Sequence, residues 1–95
     1  MSLPRNIKVH DFLTAVGKFG KENFGTCEIR QCGGSTLKIE FFYDHQDQKN
    51  YEPALIFVIY NKEYLSRDCL RKLLKTMDRS GFTNLKEKFL QYLST

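Results

Sequence analysis

A chain of 95 residues and 11.2 kDa has room for one hydrophobic core, and 41% apolar with 14% aromatic residues gives it the material to fill one. That composition excludes disorder of the whole chain, and no apolar run reaches the roughly 20 residues that cross a bilayer. The formal charge of +4 is uneven: basic residues exceed acidic ones by two over residues 1–25 and by four over residues 62–95, whereas residues 26–61 are acidic by two.

The first turn of the chain lacks the apolar stretch and small-residue cleavage site of a secretory signal, so a cytoplasmic or nuclear protein is expected. Cys27, Cys32 and Cys69 fit a reducing compartment, since an odd number leaves at least one free thiol; a Cys27–Cys32 bridge stays open as an alternative.

In chain order, Val9, Phe12, Leu13, Val16 and Phe19 recur at helical spacing and predict a helix of three to four turns with one apolar stripe. Gly17 and Gly20 weaken that helix but permit close packing on a sheet, and Gly25 is a stop signal. From Thr26 the period becomes two. Cys27, Ile29 and Gln31 share a face, Gly33-Gly34 supplies a hairpin connection, and Leu37, Ile39, Phe41 and Tyr43 return on one face. Phe42 falls on the opposite side with Lys38 and Glu40, the one aromatic in an otherwise polar set.

Residues 44–53 form a polar loop. The run from Ala54 to Tyr60 is apolar on both faces and predicts a strand in the centre of the sheet. Ser66 is an N-cap, Asp68 sits in the first turn, Leu70, Leu73, Leu74 and Met77 form a buried stripe, and Gly81 ends the helix. Thr83 caps a short last helix bearing Leu85, Phe89, Tyr92 and Leu93. The expected fold is a single α+β domain over residues 1–95, with element order α-β-β-β-α-α and a small three-stranded, mainly antiparallel sheet carrying its helices on one face.

The strongest binding pattern lies on the predicted helix at residues 66–80. Arg67, Arg71, Lys75 and Arg79 recur every fourth residue and sweep an arc of about 120°, which Lys72 widens to about 140°, over roughly 18 Å of helix. Long cations so spaced can follow a phosphate backbone or an acidic protein surface; the plain alternative is a solvated helix face. Phe42, Tyr43 and Tyr51 flank the polar loop and are candidates for base stacking or an interface, Phe42 foremost because it points outward.

Catalytic and metal chemistry have less behind them. The three cysteines and His10 and His45 lack paired metal-ligand spacing, so no metal or cofactor is expected. Glu40, Asp44, Asp47 and Glu52, with His45 and Lys49 nearby, offer carboxylates to a divalent cation but show no calcium-loop or catalytic spacing. Gly33-Gly34 lies in neither a Walker nor a dinucleotide-binding motif and reads as a turn.

The α-β-β-β-α order over residues 9–80 resembles that of the small RNA-binding proteins of the signal recognition particle's Alu-binding part. The resemblance lies in element order, without a shared motif, and the helix at residues 83–93 departs from it. It implies heterodimer pairing and RNA contacts through sheet surfaces, and assigns no contact residue. The leading expectation is therefore a noncatalytic nucleic-acid-associated module that binds RNA through the basic helix face. The alternatives are a protein-interaction subunit of a homo- or hetero-oligomer and a small metal-dependent or hydrolytic enzyme.

Overall fold

The computed structural model of the chain describes residue 3, residues 6–43 and residues 52–94. Helix α1, Val9–Asn23, follows a two-residue strand β1, Ile7–Lys8. Strands β2, Gly25–Gln31, β3, Thr36–Tyr43, and β4, Leu55–Tyr60, form one antiparallel sheet in that order. A two-residue strand β5, Tyr64–Leu65, pairs with β1 in a separate ribbon, and α2, Arg67–Arg79, a 3-10 turn, Thr83–Leu85, and α3, Lys86–Leu93, complete the chain.

The hairpin register sets Cys27 opposite Phe41, Ile29 opposite Ile39 and Gln31 opposite Leu37, so the in-phase apolar residues of both strands share the face that meets the helices. Gly33 and Gly34 both adopt positive φ, 56° and 45°, in the connection. On β4 the same face carries Leu55, Phe57 and Ile59, all buried. These residues form one core with Val9, Phe12, Val16 and Phe19 of α1, Leu70, Leu73 and Met77 of α2, and Phe89 and Leu90 of α3. The helices thus lie on one face of the sheet, as the order of elements predicts.

The centre of the core is built of phenylalanine. Phe19 meets Phe24, Phe41 and Phe89 edge-on at centroid separations of 6.1, 5.9 and 5.3 Å, and Phe57 sits 5.3 Å from Phe41 and 5.5 Å from Phe89. Edge-on pairs of this kind add roughly 0.5–1.5 kcal/mol each beyond the area they bury.

Strand order corrects one expectation. Among the described residues the run read as a central strand is an edge strand: β3 is central, and β4 has a neighbour on one side. Its outer-face residues Val58 and Tyr60 are 56% and 63% exposed, so its apolar character on that face is not explained by burial within this chain. Thr83 also differs from expectation. It opens the 3-10 turn, and α3 starts after Leu85 without a side-chain cap.

Candidate nucleic-acid interface

Helix α2 is fixed at both ends by local chemistry. The Ser66 hydroxyl accepts the Cys69 N–H at 3.1 Å, satisfying one of the unpaired donors of the first turn. At the other end Gly81, at φ 87°, lets its N–H reach the Asp78 carbonyl and the Phe82 N–H reach the Met77 carbonyl at 2.7 Å, the paired bonds of a Schellman motif. Between these caps Leu70, Leu73 and Met77 seat the helix in the core.

Seating that side turns the basic arc outward. Arg71, Lys72, Lys75 and Arg79 are exposed. Arg67 departs from the expected ladder: it is half-buried, and its Nε is buried without a hydrogen-bond partner. The helical wheel gives the reason, because Arg67 begins the arc about 20° from Leu74, on the border of the apolar stripe.

The acidic residues of α2 compensate the arc only in part. Asp68 pairs with Arg71 at 2.9 Å, a contact between two well-exposed side chains that water screens. Asp78 turns to Lys86 of α3 at 2.9 Å, and hydrogen bonds from Lys86 and then Thr83 hold its carboxyl below the usual carboxylate range. Among the described residues, Lys72, Lys75 and Arg79 form no ion pair. Three cations, with a fourth in an easily exchanged pair, therefore stand along one exposed side of a rigid element.

The aromatic candidates lie elsewhere. Phe42 is on the sheet face opposite the helices, as its phase requires, but it is only 7% exposed. It stands near the end of the central strand, opposite Thr26 of β2, and its burial leaves little of the outward stacking surface expected there. Tyr43 is half-buried with its ring 5.3 Å from that of Phe24, on the helix side. Tyr51 lies outside the described residues, as do Asp44, His45, Asp47 and Lys49. Since α2 rests on one face of the sheet and Phe42 belongs to the other, the basic arc and Phe42 do not share a surface.

The outer sheet face carries two features that the sequence did not reveal, an exposed aromatic and the burial of a carboxylate already noted. Tyr60 is the exposed aromatic there, with Lys62 Nζ 5.6 Å from its ring centre, and Val58 lies two residues before it. The apolar run concealed both, because two-faced apolarity suggests a central strand. The second feature is Glu40, only 4% exposed, whose carboxylate accepts from Arg30 across the hairpin. That contact gives Glu40 a structural partner on β2.

The thiols are free, and two are poorly suited to nucleophilic work. Burial pushes Cys27 up to about 11, against a smaller opposing effect of Lys21, and burial likewise raises Cys69. Among the described residues no three His, Cys, Asp or Glu side chains converge as metal ligands. A cleft of about 630 Å³ is lined by His10, Asp11, Lys18 and Tyr92 among others and shares no residue with α2. Among the described residues no helix is long and apolar enough to cross a membrane. Comparison with family models, curated proteins and solved structures gives no match.

Proposed function

We propose that this chain is a noncatalytic module that binds RNA through the exposed basic face of α2. The observation that carries the reading is the division of one helix into two sides: Leu70, Leu73 and Met77 are locked in the core, while Arg71, Lys72, Lys75 and Arg79 stand in solvent. A capped and seated helix holds its cations in fixed order, so an approaching phosphate backbone meets a preformed row of charge. The exposed face of α2 offers Arg and Lys, the side chains suited to phosphate contact, and the helix contains no Asn or Gln to read adenine edges. A single strand or an RNA loop can conform to such a face. In this reading the module works in the cytoplasm or nucleus, where its free thiols persist.

Fluorescence anisotropy with labelled RNA and DNA oligomers tests the proposal. With about four phosphate contacts to a single strand, affinity falls roughly 50-fold between 50 and 200 mM salt. Replacing Arg71 and Lys75 together by Glu, at exposed positions that leave the core intact, weakens binding by at least about tenfold and flattens the salt dependence. Absence of RNA binding at low salt, or binding unchanged in the double variant, refutes the proposal.

A further inference from the structure

We propose that β4 is a self-association edge, which pairs antiparallel with β4 of a second copy of this chain to join two three-stranded sheets into one. The inference is independent of the phosphate-binding reading of α2.

The backbone supplies the first observation. Asn61 N–H donates to the Ser35 carbonyl, one step beyond the Thr36–Tyr60 pair, which fixes the phase of the ladder. Leu55, Phe57 and Ile59 therefore aim their N–H and C=O groups at β3, and Ile56, Val58 and Tyr60 aim theirs away from the sheet. Of these outward groups, the Tyr60 carbonyl accepts from Lys62 N–H, while those of Ile56 and Val58 have no hydrogen-bond partner among the described residues.

The side chains supply the second. β4 has neither a charge nor a proline, the usual protections of an exposed edge, and its outer-face side chains Val58 and Tyr60 are largely exposed. The opposite edge, β2, carries Glu28 and Arg30 and is protected in the ordinary way. Beside the β4 edge runs a cleft of about 380 Å³, bounded by Val58 and Tyr60 on the strand and by Ser66, Cys69 and Lys72 near or on α2. It lies where side chains of an added strand would enter on the helix side.

A second copy fits this edge better than an arbitrary strand, because the edge is self-complementary. Pairing about a two-fold axis at Val58 sets Val58 against its own counterpart and Ile56 against the partner copy's Tyr60, a β-branched residue against an aromatic one. The outward groups of each strand then exchange about four backbone hydrogen bonds without disturbing the Tyr60 carbonyls that accept from Lys62. Charge agrees at the strand ends. Glu52 precedes β4 and Lys62 follows it, both exposed, so antiparallel pairing brings opposite charges near each other at both ends. The two α2 helices, each on the same sheet face beside its own β4, come to flank the axis.

Sedimentation velocity on the full chain at tens of micromolar gives twice the 11.2 kDa monomer mass if the edge is paired. Val58→Lys, at an exposed side chain, returns the mass to that of the monomer with an unchanged circular dichroism spectrum. Ile29→Lys, on the protected edge, leaves the dimer intact. Hydrogen exchange supplies a test that needs no substitution: the Val58 amide of the wild-type chain is protected when concentrated and exchanges at least tenfold faster on dilution to monomer. A monomeric wild-type chain, a dimer that persists in Val58→Lys, or a Val58 amide whose exchange ignores concentration overturns the proposal. The first of these results would leave the edge to a strand from another protein.

Discussion

Gly20 and Gly17 are three residues apart in one helix, yet alanine at the two positions is expected to act with opposite sign. A Cβ at Gly20 would stand 2.8 Å from Cys27 Cβ and 2.8 Å from Phe41 Cδ1, against the roughly 3.5–4.0 Å at which carbon atoms rest. Neither neighbour can yield easily. Cys27 Cβ is fixed to the backbone of β2, and the fully buried Phe41 ring is packed against Phe19, Phe24 and Phe57. Alanine returns up to about 1 kcal/mol of helix propensity, whereas overpacking a filled core costs about 1–3 kcal/mol and more where nothing can move. The expected net effect of Gly20→Ala is a loss of about 1–2 kcal/mol, or a fall in Tm of about 5–15 °C for a domain of this size. At Gly17 a Cβ meets nothing within 4 Å, so Gly17→Ala gains up to about 1 kcal/mol and raises Tm by up to about 8 °C. Thermal and urea unfolding followed by circular dichroism at 222 nm measures both. If Gly20→Ala is as stable as the wild type, or the two variants shift in the same direction, the close approach of α1 to the sheet is wrong.

Two further outcomes follow from local chemistry. Ser66→Ala removes the acceptor for the Cys69 N–H and is expected to lower stability by about 1 kcal/mol in urea titration, with Ser66→Asn recovering most of it. Because the Cys27 thiol is raised from 9.0 to about 11, its contribution to stability is complete below about pH 9 and is lost as pH rises through 11, where the unfolded chain releases the proton first. The urea midpoint of the wild type should thus fall between pH 8.5 and about 11 more steeply than that of Cys27→Ala, and equal slopes would refute the assignment.

Features with a local cause were legible in the sequence. The apolar stripe of α1, the hairpin around Gly33-Gly34, the Ser66 cap and the Gly81 stop each depend on residues within a few positions of one another, and the structure forms all of them. The basic arc of α2 was readable for the same reason, since helical spacing places its members before any tertiary contact exists. What depends on neighbours remote in sequence was not readable. The apolar run of β4 records that both of its faces prefer to leave water, but not which element covers them. Phe42 has the outward phase it was assigned, yet it is buried, and burial is a tertiary property that strand phase does not carry. Arg67 satisfies the fourfold spacing, yet its angular nearness to Leu74 withdraws it from the exposed row. The β1–β5 ribbon pairs two residues with two, too few for any period to announce.

The edge-on meeting of Phe12 with Phe89, 6.2 Å between ring centres, bears on the time the chain needs to fold. These rings belong to the first and last helices and are separated by most of the sequence. The hairpin of β2 and β3 closes over a four-residue connection and gains its contacts early, whereas the α1–α3 contact is rewarded only after the long intervening segment has given up its freedom. The contacts of Phe89 are therefore expected to form after the hairpin, and substitutions at Phe12 or Phe89 are expected to change the unfolding rate more than the folding rate.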